Sequence, residues 1–449
     1  MIRNAWKSHE ASPFKRRSVQ NKYRPNLELL ETRQLLSTNV LTYHNDQGRT
    51  GQNLTEENLT PDNVYAGSFG KLFSYHVDGQ VYAQPLYMYG VNLPDGSTHD
   101  IVFIATEHDS VYAFDANDPT AGDLGNGILW QTSFIDPANG ITPFSQSDAL
   151  GCGQISPELG VTATPTIDAD NGIMYVVSQT KQVQGSSTTY HQTLHALDLT
   201  TGKESLGGPV DIEASVVNDS GQTVPFIPRN YKERAGLTLS NGVLYTAWAS
   251  HCDAGGNSTH GWVIGYDAKS LNQVSVFNTS PNGPLDTIWQ GNGSLAVDQD
   301  GNLYFETGNG YDITHHGDDY SEAFIRLNGS DGQTVDDYFI PYNFQALDQA
   351  DRDLGSGAPI VLPDQPGDHP HLLVGAGKEG KIYLIDRDNG NMGGLNNPPV
   401  GPDLVIQSVP NALSGGSWDT PAYWDGADPN GPWIYYVGNG DFVKAFQLQ

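Results

Sequence analysis

VYAFDA occupies residues 111–116, and the same kind of run returns five more times. The later copies are LHALDL (194–199), VIGYDA (263–268), FIRLNG (324–329), IYLIDR (382–387) and VKAFQL (443–448). Each is a short apolar run ending in Asp, Asn or Gln, and most lead into a turn such as TTGKE or DNGNM. Upstream of each copy lies a small-residue or proline cluster: AQP (83–85), ATP (163–165), AGL (235–237), GSL (293–295), GAP (357–359) and DTP (419–421). Between cluster and run sits another strand-sized segment, such as GIMYVVSQ or GVLYTAWAS. Strand-sized pieces repeating in fixed order, with no long helical period, predict an all-β propeller of four-stranded blades. One such unit cannot bury its own apolar faces, whereas a ring of units can. Six copies predict six blades, with seven or eight if the chain is cut short.

The segment FGKLFSYHV (69–77) alternates like a strand but precedes the first cluster. The C-terminal repeat ends after VKAFQL without a fourth strand. These two defects match, so 69–77 is expected to close the ring as the outer strand of the last blade, removing both free edges. The organisation expected is a basic tail (1–37), an extended lead-in (38–68) that packs across the propeller, and the propeller itself (69–449). Residues 213–234 read as a long polar loop before the third blade.

The chain of 449 residues carries a formal net charge of −30. The first 37 residues hold a net +5, which leaves −35 for the remainder. An acidic body of that size repels nucleic acid and favours solubility. No window of eighteen apolar residues occurs, so no membrane span is expected. No G-x-S-x-G nucleophile motif or phosphate-cradling glycine loop is present. GAGKEGKI (375–382) lacks the GK[ST] ending and leads into a strand.

The small-x-Pro cluster, the aromatic middle strand and the A-x-D-x-x-T-G turn resemble the repeat of pyrroloquinoline-quinone (PQQ) alcohol dehydrogenase-like propellers. The second repeat carries this best, as TATPTID (162–168), GIMYVVS (172–178) and LHALDLTTGKE (194–204). The family's enzymes hold the quinone between a ring of adjacent cysteines and a tryptophan, and bind Ca²⁺ through a Glu, an Asn and a catalytic Asp. Here Cys152 is followed by Gly153 and Cys252 by Asp253, and no C-x-x-C-H haem site exists. Glu158 precedes a blade-opening strand and is the one nameable candidate ligand, expected from its position to face the central channel. Since many such propellers keep the fold and lose the cofactor, the expectation is a non-catalytic monomer that binds a small ligand or a cell-surface protein, with no cofactor. The alternatives are a divergent PQQ- and calcium-dependent alcohol or sugar dehydrogenase and a cell-surface assembly scaffold.

A basic run (Lys15, Arg16, Arg17, Lys22, Arg24) precedes Leu27, Glu28, Leu30, Glu31, Arg33, Leu35, Leu36 and Ser37. That order resembles the N-terminal signature of planctomycete-type extracellular proteins and implies export. In an oxidising compartment, Cys152 and Cys252 are expected to form a disulfide.

Other polar clusters have plainer readings beside the functional one. His251, Cys252, Asp253 and His260 offer zinc-type ligands, but in no established spacing. His315, His316, Asp318 and Asp319 form a polar hairpin tip. DADNG (168–172), DQDGN (298–302) and DRDNG (386–390) look like calcium-loop fragments and equally like tight turns between strands. Tryptophans 130, 248, 262, 289, 418, 424 and 433 either pack between blades or stack on a ligand ring.

Overall fold

The computed structural model describes residues 38–449, apart from 58, 61, 123, 311–317, 389, 396–400 and 426–430. Six mainly antiparallel sheets follow one another along the chain, and a separate two-stranded hairpin, Ser215–Val217 with Thr223–Pro225, lies between the second and third, where a loop is expected. The first is Leu86–Asn92, Thr98–Thr106, Ser110–Asp115 and Ile128–Ser133. The second contains Thr166–Asp168, Ile173–Gln184, Ser187–Asp198 and Val210–Asp211. The third is Tyr231–Ser240, Val243–Ser250, Trp262–Asp267 and Gln273–Asn278. The fourth contains Ala296–Val297, Leu303–Glu306, Phe324–Leu327 and Val335–Ile340, and the fifth Ile360–Val361, Leu372–Ala376, Ile382–Asp386 and Gln407–Val409. The sixth has three strands among the described residues: Ala422–Trp424, Trp433–Val437 and Val443–Gln447. One α-helix, Phe344–Ala350, is described. The fold is propeller-like, as the repeat predicts.

Each recurrent Asp caps a turn, which is why the motif is visible in sequence. Asp198 Oδ1 accepts the backbone N–H groups of Thr200 and Thr201 at 3.0 and 2.9 Å. Asp168, Asp298 and Asp386 accept in the same way from Asn171, Asp300 and Asp388. Turn chemistry therefore accounts for the three calcium-like fragments. Sheet packs on sheet through apolar clusters. Phe103 and Trp130 meet Met174 and Leu197. Tyr175 and Leu194 meet Trp248 and Trp262. Tyr245 and Val263 meet Phe305 and Ile325. Tyr304 and Phe324 meet Leu373 and Tyr383, and Val374 meets Ile434 and Tyr436. Each large side chain so buried contributes roughly 1.5–3 kcal/mol. Among the described residues no such cluster joins the sixth sheet to the first.

What reaches all six sheets is the lead-in. Val40 exchanges backbone hydrogen bonds with Tyr87, and the Leu41 carbonyl accepts from Ile167 N–H. Gln47 donates its side-chain amide to the Leu239 carbonyl. The carbonyls of Gln47, Gly48 and Thr50 accept from Val297, Val361 and Tyr423. Residues 40–50 thus touch the first strand of every sheet in chain order and form a central hub. A β-carbon at Gly48 would lie 2.7 Å from the Val361 carbonyl oxygen, so the close approach requires glycine.

The expected closing strand is a correction. Residues 69–77 form no strand, and nothing shows them on Val443–Gln447. The Tyr75 ring stacks on Phe114 of the first sheet at 4.4 Å, and its hydroxyl donates to the Asp115 carbonyl. Asp78 then accepts from Thr106 and Ser110 at 2.9 and 2.6 Å. The aromatic alternation is satisfied by ring stacking on the first sheet, not by ladder pairing on the last.

Candidate functional site

Polar residues follow the second strand in four of the six sheets. Glu107 follows Thr98–Thr106, His251 to Asp253 follow Val243–Ser250, Asn309 lies beyond Leu303–Glu306, and Lys378 beyond Leu372–Ala376. Cys252, Asp253 and Lys378 of these line a cavity of about 190 Å³, together with Gln154, Arg234, Trp289, Gly291, Asp351, Asp353, Ser356 and Trp418. Gly291 has φ of 54°, and a β-carbon there would lie 2.2 Å from the Trp418 carbonyl oxygen, so glycine is what lets the two tryptophan-bearing loops meet.

Cys152 and Cys252 are joined in a disulfide, with Cα atoms 5.6 Å apart. It pins the loop between Ile141–Ser145 and Glu158–Leu159, two further strands of the second sheet, to the turn after Val243–Ser250 of the third. Cys252 and Asp253 take left-handed φ values of 52° and 54°. The turn is held further by the Ser250 hydroxyl, which donates to Asp253 at 2.5 Å. Burial pushes the Asp253 carboxyl up, and Asp353 and Asp351 push it the same way.

Two cations enter the cavity with different company. Lys378 Nζ is 2.5 Å from Asp353 and 3.1 Å from Asp351, and lies 5.2 Å from the centre of the Trp418 ring. Arg234 lies 5.7 Å from the centre of the Trp289 ring and donates to Gln154 Oε1 at 3.2 Å. Behind it, Lys232 is buried and reaches the same oxygen at 3.4 Å. Three buried atoms of lining residues have no protein partner: Asp353 Oδ1, Trp289 Nε1 and Arg234 Nε. Unsatisfied buried polar atoms are uncommon, and a group of them around one cavity marks a place for a ligand.

The residues singled out in sequence are distributed unevenly. Cys252 and Asp253 line the cavity, as do Trp289 and Trp418. Glu158 does not; it pairs with Ser145 across a short ladder and accepts or shares a proton with His108 Nδ1 at 2.8 Å, about a quarter exposed. His251 Nε2 meets Gln179, and His260 Nδ1 meets the Ser280 carbonyl at 2.9 Å, so with Cys252 in the disulfide the zinc-type set is dispersed. Among the described residues no group of three His, Cys, Asp or Glu side chains converges on a metal position. Asp319 accepts from the Asn282 backbone, whereas His315 and His316 lie outside the described residues. Trp130, Trp248 and Trp262 pack between sheets. Arg234, Asp351, Asp353 and Lys378 were missed, because charged residues scattered over a chain carry no spacing signal.

The interior charges predict an unusual pH profile. Burial pushes Glu107 up to about 7 and Lys232 down to about 7. Arg234 also pushes Lys232 down, and Glu107 opposes this. Between pH 4.5 and 7 the folded state binds more protons at Glu107 than the unfolded chain does, so that contribution falls as pH rises. Between pH 7 and about 10 the unfolded chain binds more protons at Lys232, so that contribution rises. Urea midpoints across pH 5–10 are expected to pass through a minimum near neutrality from these two groups. Lys232→Met should remove the alkaline rise and leave the acidic fall.

No protein-family model matches the chain, and no curated protein sequence matches it. Solved structures do. A quinohemoprotein alcohol dehydrogenase from Comamonas testosteroni superposes with a TM-score of 0.53 at 15% identity, over 83% of this chain and 49% of that one. A europium-containing methanol dehydrogenase gives 0.54 at 15% identity, over 83% and 58%. A quinohemoprotein alcohol dehydrogenase from Pseudomonas putida gives 0.52 at 18%, over 79% and 47%. The chain therefore spans about half the length of these enzymes and shares their propeller fold.

Proposed function

We propose that the chain is a ligand-binding propeller that holds a small, flat, polar molecule against Trp289, Trp418 and the Cys152–Cys252 disulfide, without redox turnover. The observation carrying this reading is that two tryptophans, the disulfide and two cations line one cavity. Indole faces suit a planar or sugar ring, and unpartnered polar atoms around them suit its substituents. The volume, about 190 Å³, falls below the roughly 300–1,000 Å³ of pockets that enclose drug-sized ligands, which supports a ligand smaller than a fused-ring cofactor. A disulfide, and the absence among the described residues of any helix long and apolar enough to cross a membrane, are compatible with an exported protein.

A divalent ion does not fit the residues present. A Ca²⁺ site needs six to eight oxygens, whereas here Lys378 Nζ sits 2.5 Å from Asp353 and offers a like charge to any cation. A second reading, a divergent quinoprotein dehydrogenase, is favoured by one feature. A disulfide and a tryptophan line the same cavity, even though the cysteines are 100 residues apart in sequence and not adjacent.

The test is a titration of the protein with small aromatic acids and sugar acids, read by tryptophan fluorescence. Saturable quenching is expected, with Trp289→Leu and Trp418→Leu each weakening it tenfold or more, about 1.4 kcal/mol or more, and the unfolding midpoint little changed. Binding indifferent to both substitutions would place the ligand elsewhere.

A further inference from the structure

The third sheet begins with YKER, residues 231–234, which the sequence reading assigned to a loop. In the structure these residues open the strand Tyr231–Ser240. Strand alternation sends Lys232 and Arg234 to one side and Glu233 to the other. Lys232 stands opposite Ala249 and Glu233 opposite Trp248, and an irregularity follows before Ala235 pairs with Ala247. Lys232 and Glu233 are buried and Arg234 is partly buried beside them, contrary to the rule that buried charges are paired.

The two cations of this side are poorly matched. Lys232 is 1% exposed, and the hydrogen bond shown for its ammonium is a long one, 3.4 Å to Gln154 Oε1. Arg234 gives Nη1 to that same oxygen at 3.2 Å, and its Nε has no partner. Among the described residues neither takes part in an ion pair within 4.0 Å. Glu107, the acid that acts on both, turns Oε2 to Gly160 N–H at 2.8 Å and the Thr162 hydroxyl at 3.0 Å. Lys378, in the same cavity, shows the contrast: it carries two aspartates of its own. The shared acceptor Gln154 is an exposed side chain in the loop pinned by Cys152, and it covers the pair from the solvent side. Two cations sharing one neutral oxygen leave room for a group that supplies two oxygens and a negative charge.

We propose that Lys232 and Arg234 form an oxyanion subsite that receives the carboxylate or phosphate end of the pocket's ligand, displacing Gln154. This rests on the cavity being the binding site. Arg234 bonds one oxygen while covering Trp289, so a ring attached to the anion lies against the indole. Lys232 contributes the second contact from the buried side.

The experiment compares benzoate with benzamide, which share a ring and differ in charge, and uses inorganic phosphate as competitor. Binding is read by tryptophan fluorescence on the full chain, in wild type, Lys232→Met and Arg234→Gln. Wild type is expected to prefer benzoate at least tenfold, and both substitutions to reduce the preference to twofold or less. Displacement of benzoate by phosphate would extend the subsite to oxyanions generally, and its failure would restrict the subsite to carboxylates. Lys232→Met should melt no lower than wild type at pH 7, since a buried and poorly satisfied amine is removed, whereas a lysine serving structure alone would lower the melting point when lost. Should that variant fail to fold, Arg234→Gln alone decides. Equal binding of benzoate and benzamide would overturn the subsite and leave the pocket standing, as would a preference that survives both substitutions. Binding of none of the three probes would overturn both readings.

Discussion

Arg49→Ala is expected to lower the unfolding free energy by about 4 kcal/mol, because it removes five hydrogen bonds from a charged donor, each worth roughly 1.5–3 kcal/mol, partly offset by no longer burying the charge. Arg49 is 0% exposed. Its Nε donates to the Leu295 carbonyl at 2.9 Å. Nη1 donates to the Thr42 hydroxyl at 2.9 Å and the carbonyls of Tyr43 and Asp46 at 3.2 and 3.0 Å. Nη2 donates to the Thr238 hydroxyl at 3.0 Å. Burial lowers the guanidinium to about 10, so the group stays charged at neutral pH. Alanine removes all five of these hydrogen bonds and opens a void at the hub that reaches all six sheets. Lysine supplies three donors in place of a planar fork and should recover part of the loss. Urea denaturation measures this as a drop in midpoint. A change below 1 kcal/mol would mean that the hub is peripheral and that the sheets hold one another without it.

The second large effect concerns the disulfide. Its cysteines are 100 residues apart in sequence, for which chain-entropy reasoning gives roughly 4–5 kcal/mol. Cys152→Ser with Cys252→Ser is therefore expected to cost a similar amount, and to weaken ligand binding as well, because Cys252 and Gln154 both line the cavity. The urea midpoint and the fluorescence titration of the double variant check both halves. Loss of stability with unchanged affinity would separate the disulfide from the site. Unchanged stability would show that the loop of residues 146–157 is held by its other contacts, such as Arg229 to the Asp148 carbonyl at 3.1 Å.

The repeat was legible because its period is written twice, in the apolar run and in the Asp that caps the next turn. Both act locally, and local physics survives in sequence. The closing strand was misread because alternation shows that one face of 69–77 is apolar but not what covers it. Tyr75 found Phe114, a partner that no pairing rule indicates. The strand opening Tyr231–Ser240 reads as loop because Lys232, Glu233 and Arg234 contradict burial, and only the fold shows that Lys232 and Glu233 are buried with Arg234 partly buried beside them. The cavity was hidden for another reason. Trp289, Asp353, Lys378 and Trp418 come from separate connections between strands, and nothing but the convergence of the sheets brings them together. Glu158 does not line the cavity, and its carboxylate meets His108 Nδ1. Arg49 stands in a polar, turn-rich stretch that gives no sign of a central role.

The most direct test of the account is reconstitution of the purified protein with PQQ and Ca²⁺, followed by absorbance and by dye-coupled oxidation of an alcohol and sugar panel. A small-ligand propeller whose carboxylates are held by Lys378 predicts no calcium-dependent quinone binding and no dye reduction. Saturable quinone uptake that requires Ca²⁺ and supports turnover would contradict it and make this cavity an oxidoreductase site.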